Sequence, residues 1–270
     1  MLKGVYKGLK WVSPSLIPKL FEVYGIVLRD VFTENPPLPM GITLELTYQC
    51  NARCKMCPFF GEDATSYPEE DAMCFNELKR ILLDIKASYK KHHLPLPHIG
   101  VTGGEPFLRR FSTLETFDII EFLRDQGFSY SITTNFGLIT THEMCDRLIA
   151  ARPSELRISL DGPKEVHNGI RKIRVFDRII ELIQYMDGKI PLNINCTISE
   201  YNIDTLEYLA GKVKEFNSVS MSYQHLIWSP KESVELHEKV AKVHFGDEPV
   251  PFFSNFKKLT EEEVGKVMQK

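Results

Sequence analysis

Six short runs rich in apolar and β-branched residues recur after position 41, with helical patterns in the gaps between them. They lie at 42–47, 98–102, 129–134, 156–160, 192–198 and 218–223. From the second run to the sixth they return at roughly 30-residue intervals, the length of a strand plus a crossover helix. This rhythm limits the fold more than any other feature. Repeated βαβ units build a parallel sheet, and right-handed crossovers on one face make that sheet curl. The expectation is an α/β fold: a partial (β/α)6 TIM-like barrel with a parallel sheet and one open side.

Helix signals fill the gaps. One pattern starts near Thr113, runs through Leu114, Phe117, Ile120 and Leu123, and stops at Gly127. Thr140 with Glu143 reads as a capping box, and 177–187 is amphipathic and ends at Gly188. Asn202 is placed to cap a helix reaching Glu215. Before the first strand, Leu16, Leu20, Tyr24 and Leu28 repeat at helical spacing, and Asn35-Pro-Pro-Leu-Pro39 then breaks the chain. Three regions follow: an N-terminal helical leader over 1–40, a barrel over 41–228 and a C-terminal helical segment over 229–270. The leader reads as a helix packed on the protein's own body. Peripheral membrane contact through residues 14–32, or a partner docked there, is the alternative. Thr260 and three glutamates open a last helix with no stop before Lys270, which suggests a missing or separate C-terminal part.

Composition excludes several classes. With 43% hydrophobic and 26% charged residues the chain resembles ordinary soluble proteins. A net charge of −3 and the lack of a basic stripe speak against a nucleic-acid partner. No apolar run approaches the roughly 18 residues of a transmembrane helix, and no signal-peptide core is present. Six cysteines are too few for a disulfide scaffold at 270 residues. Three of them cluster, which favours metal binding in a reducing, cytoplasmic setting.

Those three are Cys50, Cys54 and Cys57, on the loop after the first strand. Closely spaced thiolates can hold three irons of a cubane and leave the fourth open, whereas a closed structural site supplies four ligands. A zinc knuckle or a redox-sensing thiol set is the alternative. Cys74 is the only nearby fourth ligand, but it sits at a helix start and reads as a buried free thiol. Cys145 and Cys196 read as small core residues. Further chemistry-bearing residues fall at successive strand ends: Gly103-Gly104-Glu105-Pro106, Asn135 and Ser159-Leu-Asp161-Gly162. In parallel α/β folds, sites gather there.

The cysteine tripod, the Gly-Gly-Glu-Pro run and the Ser-Leu-Asp-Gly run, in that order, resemble the radical S-adenosylmethionine (SAM) enzymes. They are most similar to members that carry a SPASM or twitch auxiliary domain. The resemblance covers about residues 40–225. It implies that Cys50, Cys54 and Cys57 bind a [4Fe-4S] cluster whose fourth iron is chelated by SAM. Met56 would lie near the adenine, and Gly103, Gly104 and Glu105 would accept the SAM amino group. Asn135, Ser159 and Asp161 would reach the ribose or methionine portion, Arg171 would pair with the SAM carboxylate, and Asn195 would approach the adenine. As turn, cap or surface residues, each has a plainer reading too.

The implied reaction is reductive cleavage of SAM to a 5′-deoxyadenosyl radical. That radical abstracts hydrogen from an unidentified peptide, lipid or small metabolite. The resemblance implies a one-electron donor such as flavodoxin or ferredoxin, and no protein base is needed for hydrogen abstraction. One departure stands out: no cysteine follows Cys196, where SPASM enzymes carry auxiliary-cluster ligands. A partner chain, a C-terminal domain or substrate would then fill the open side, near Tyr223, Gln224, His225 and Trp228. A degenerate or truncated iron–sulfur protein that binds SAM without turnover on its own is the alternative reading. His92 and His93, in a Lys-rich loop, read as solvent-facing.

Overall fold

Apolar side chains alternate with small polar ones along the strands, and the structure puts the two sets on opposite faces of one sheet. The computed structural model describes residues 38–57, 73–108 and 113–226, with positions 233, 235, 236, 239, 240, 242 and 243. The chain divides into two compact units, Met1–Met40 and Gly41–Lys270, and all elements below belong to the second. The leader helix, Trp228 and most of the C-terminal segment lie outside the described residues.

The strands are β1 (Gly41–Glu45), β2 (His98–Thr102), β3 (Tyr130–Thr134), β4 (Glu155–Ser159), β5 (Leu192–Ile198) and β6 (Val219–His225). They pair in chain order, and every pair is parallel. The sheet is therefore open, with β1 and β6 as its edges, as a partial barrel requires. Helix α1 (Phe75–Lys91) crosses from β1 to β2, α2 (Thr113–Gln126) from β2 to β3 and α3 (His142–Ala151) from β3 to β4. Two helices, α4 (Lys164–Arg171) and α5 (Phe176–Met186), lie between β4 and β5. A short 3-10 turn (Ile203–Thr205) and α6 (Leu206–Val213) lead to β6.

The core lies between the sheet and its helices. Ile99, Val101, Ile132, Leu156, Ile158 and Ile194 are buried from the sheet, and Phe117, Ile120, Leu123, Leu148, Ile179 and Ile183 from the helices. Each such side chain contributes about 1.5–3 kcal/mol when removed from water. Cys145 and Cys196 are fully buried within this layer. Tyr130 secures β3 to α3, its hydroxyl donating to the Ala151 carbonyl at 2.5 Å. The other face carries Thr102, Thr133, Ser159, Asn195 and Thr197. It lacks the bulky branched residues that fill a closed barrel.

Local details differ from the sequence reading at four places. Thr141, not Thr140, caps α3: its hydroxyl accepts from the Met144 N–H at 3.2 Å. Asn202 makes no capping bond, because its side chain ties β4 to β5 instead. Helix α4 carries no strong sequence signal and is short, ending at Lys172 in the left-handed conformation. Cys74 is half-buried rather than buried, at the start of α1, where Glu77 accepts from its N–H at 2.8 Å. His92 and His93 are exposed, and no described helix is long and apolar enough to cross a membrane.

Candidate functional site

The cysteine loop is fastened at both ends by backbone. Leu46 N–H donates to the Thr102 carbonyl at 2.9 Å, which carries the β1–β2 ladder one step past the strand. Gly104 N–H then donates to the Thr47 carbonyl and Glu105 N–H to the Gln49 carbonyl, both at 2.8 Å. At its tip the loop reaches α4: Arg53 N–H meets the Arg171 carbonyl at 3.2 Å and Lys55 N–H the Ile170 carbonyl at 2.9 Å. These are end carbonyls of a helix, which have no partner within the helix. The Arg53 guanidinium folds back to donate to the Cys50 carbonyl at 2.8 Å. Ala52, Cys54 and Met56 are buried against Ile170.

The result is a cavity of about 260 Å³ at the C-terminal ends of the strands. Cys50, Cys54, Met56 and Cys57 form one wall. Gly103, Gly104, Asn135, Ser159 and Arg171 line it with them, so nine of the residues singled out from the sequence converge on one space. Gln224 and His225 line it too, whereas Tyr223 does not and donates its hydroxyl to the Leu206 carbonyl at 2.7 Å.

Three sequence candidates sit behind the wall. Glu105 is fully buried. Its carboxylate accepts from the Thr134 hydroxyl at 2.6 Å and from the Asn135 N–H at 2.7 Å, so it ties the β2 exit to the β3 exit. Burial pushes this carboxyl up to about 7, while those hydrogen bonds and Arg171 pull it down. Asp161, also fully buried, pairs with Arg171 at 2.6 and 3.2 Å and accepts from the Thr197 N–H at 3.1 Å. Asn195 lies lower on the open face and accepts from the Ser222 hydroxyl at 3.2 Å.

The third nitrogen of the Arg171 fork, Nη1, donates to the Cys54 sulfur at 3.8 Å. On the other side, Asn135 donates from Nδ2 to Asn51 Oδ1 at 2.8 Å and approaches the Cys50 sulfur at 3.8 Å. The Ala52 N–H also points at that sulfur, at 3.4 Å. Strand-end residues thus hold the loop as well as face the cavity. Burial pushes the Cys50 thiol up to about 11 and raises Cys54, where Arg171 opposes the rise. A metal bound here displaces thiol protons, so its retention depends on pH.

The donor set fits a cluster better than a single ion. Among the described residues no three His, Cys, Asp or Glu side chains converge closely enough to hold one ion. A tetrahedral zinc site needs thiolates at about 2.3 Å from one centre. A cubane gives each thiolate its own iron, so three sulfurs need only share a wall.

Sequence reasoning passed over Thr102, Thr133, Thr134 and Thr197, which also line the cavity. Strand phase was the available signal for most of them. Side chains two apart share a face, so a strand ending in Ser159 or Asn135 turns its alternate residues toward the same space. Asn202 was read as a cap, and its role depends on long-range contacts that no local pattern reveals.

A family model described as the Radical SAM superfamily matches residues 44–213. Among curated proteins, the chain is 28% identical over 185 residues to an AdoMet-dependent heme synthase of Methanosarcina barkeri, covering 67% of this chain and 49% of that one. It is 32% identical over 169 residues to a GTP 3′,8-cyclase of Staphylococcus epidermidis, covering 58% and 45%. The chain thus spans about half the length of the curated relatives it matches. Its fold is similar to that of Streptococcus suis SuiB bound to S-adenosylmethionine, with a TM-score of 0.60 and 16% identity, over 99% of this chain and 56% of that one.

Proposed function

The chain belongs to the radical SAM superfamily, enzymes that use a [4Fe-4S] cluster and SAM, and from that membership we propose that it cleaves SAM reductively at a cluster held by Cys50, Cys54 and Cys57, releasing a 5′-deoxyadenosyl radical that abstracts hydrogen from a substrate on the open face of the sheet. The observation that carries this reading is the shared cavity: three thiols on one wall and small polar strand-end residues around them.

In this reading each cysteine supplies one thiolate, and the loop offers no fourth. Gly103 and Gly104 line the cavity without side chains, so a ligand can approach their backbone closely. We assign them the SAM amino group, with Glu105 behind them as the carboxylate that favours an ammonium. Asn135 and Ser159 would hold the ribose or methionine portion, and Met56 would pack beside the adenine. Asp161 and Asn195 lie behind or below the cavity wall and would act by supporting it. The buried loop keeps water from the thiolates and holds substrate near the reacting carbon.

The substrate class stays as broad as peptide, lipid or small metabolite. The relatives' names point to different chemistries, a nucleotide in one and heme in another. Substrate would enter between β1 and β6, past Gln224 and His225. A partner chain or a C-terminal domain would complete that side. A flavodoxin or ferredoxin would supply the electron, in the cytoplasm.

The test is anaerobic reconstitution with iron and sulfide, reduction with dithionite, addition of SAM and detection of 5′-deoxyadenosine by mass spectrometry. Product from the parent and none from Cys54→Ala is the expected result. Product at parent level from Cys54→Ala would remove the cluster assignment. A bound cluster with no product would favour a SAM-binding protein without turnover.

A further inference from the structure

Among the described residues that line the cavity, Arg171 is the only lysine, arginine, aspartate or glutamate. Its guanidinium is committed on all three nitrogens. Nε and Nη2 meet the two oxygens of Asp161, at 2.6 and 3.2 Å, and Nη1 points to the Cys54 sulfur at 3.8 Å. Asp161 is itself immobile, fully buried and bonded to the Thr197 N–H on β5. The Arg171 side chain keeps only 12% of its surface exposed. A planar fork held by two parallel bonds has one remaining direction, and here that direction ends on a cysteine of the loop. The same residue's carbonyl accepts from Arg53 N–H, so backbone and side chain of Arg171 both hold this loop.

We propose that Arg171 is a positioning residue for the cluster, aimed by Asp161 at the Cys54 sulfur, where it orients that thiolate and raises the reduction potential of the iron it holds. The inference rests on the reading that Cys50, Cys54 and Cys57 carry a cluster. Its physical basis is general. Hydrogen bonds to cluster sulfurs, and positive charge beside them, stabilise the more negative reduced state. Asp161 offsets part of the guanidinium charge, so the pair sets the potential between two limits. This assigns Arg171 a different task from the SAM-carboxylate pairing that the sequence resemblance implies. The two are separable, because a positioning role is already present before SAM binds.

The experiment compares reconstituted parent, Arg171→Gln, Arg171→Lys and Asp161→Asn proteins. Iron and sulfide per chain are measured first. The midpoint potential is then read without SAM by a redox titration followed by electron paramagnetic resonance, and SAM binding by equilibrium dialysis. Arg171→Gln is expected to shift the SAM-free potential negative, and Asp161→Asn to shift it positive, because the guanidinium is then uncompensated. Arg171→Lys is expected to fall between parent and Arg171→Gln. Opposite signs are the signature, since a loss of fold alone moves both variants the same way.

Removing only the arginine leaves Asp161 charged and buried, which can unfold the site. The double variant Arg171→Gln with Asp161→Asn avoids this and is expected to shift negative by less. An unchanged SAM-free potential with weakened SAM binding in Arg171→Gln overturns the proposal in favour of carboxylate pairing. Equal loss of iron from all variants overturns it in favour of a structural role. If the parent holds no cluster, the functional reading itself fails; if the parent holds one and the variants behave like it, this inference alone fails.

Discussion

Gly103 lies so close to Thr47 that a Cβ placed on it would sit 2.6 Å from the Thr47 carbonyl oxygen and 3.1 Å from its nitrogen. Its φ of +151° is also one that L side chains rarely adopt. The Gly-Gly-Glu run therefore has a task besides ligand binding: it seats the root of the cysteine loop. Gly103→Ala should cost about 2–4 kcal/mol of stability, from backbone strain plus the clash. It should also loosen iron retention, because Thr47 must move. Gly100→Ala, two residues earlier on β2, meets nothing nearer than the Thr43 hydroxyl at 3.7 Å and should stay within about 0.5 kcal/mol of the parent. Denaturant unfolding of both variants checks this, and equal costs would refute the argument from close approach.

Glu105 and His167 should make opposite contributions to stability as pH changes. Burial raises Glu105 from 4.5 to about 7, so its contribution is full below pH 4.5 and is lost as pH rises through 7. Burial lowers His167 from 6.5 to about 4, against the pull of Asp161, so its contribution is full above pH 6.5 and is lost as pH falls through 4. Each shift corresponds to about 3 kcal/mol. The parent's advantage over Glu105→Gln should therefore shrink between pH 4.5 and 7, and its advantage over His167→Gln should shrink between pH 6.5 and 4. Unfolding free energies at matched pH test both signs. Parallel curves for either variant would mean that the group is not buried as described.

The barrel is legible in the sequence because its signal is repeated and local. Alternation marks each strand, and Gly127 and Gly188 mark helix stops through positive φ, at 80° and 76°. The cysteine tripod is legible for the same reason, since three ligands lie within eight residues. What strand-end residues bond to is not local. Asp161 and Arg171 are ten positions apart and pair only because α4 folds back over the β4 exit. Glu105 reaches Thr134 and Asn135 across a whole α2 crossover. The spacing of motifs predicts a shared site, but not which members face the cavity and which stand behind it.

Asn202 holds the β4 and β5 exits together. Its Nδ2 donates to the carbonyls of Asp161 and Thr197, both at 2.9 Å, and its Oδ1 accepts from the Ser199 N–H at 2.8 Å. The residue is 1% exposed, so water cannot replace these bonds. Asn202→Ala should destabilise the protein by about 3–4 kcal/mol, since buried partners left unsatisfied cost about 1–3 kcal/mol each. A urea midpoint that falls with an unchanged slope would show this. A loss under about 1 kcal/mol would mean that ordered water can take over the bonds.

Asn135 offers the sharpest test of charge beside the thiols. Its Oδ1 accepts from the Gly137 N–H at 2.7 Å, and its Nδ2 faces Asn51 Oδ1 at 2.8 Å and the Cys50 sulfur at 3.8 Å. Asn135→Asp keeps the first bond and the shape. It replaces the donor with an acceptor carrying negative charge, opposite an oxygen and a thiolate. The penalty should reach about 2 kcal/mol, or roughly thirtyfold in cluster retention, from lost donation plus like-charge repulsion. Asn135→Ser, which is smaller and neutral, should retain more iron than Asn135→Asp despite making fewer contacts. Iron and sulfide per chain after anaerobic reconstitution and desalting give the ranking. If the aspartate variant held iron as well as the parent, the Asn135 amide would have no electrostatic effect on Cys50, and its part in the site would reduce to shaping the β3 exit.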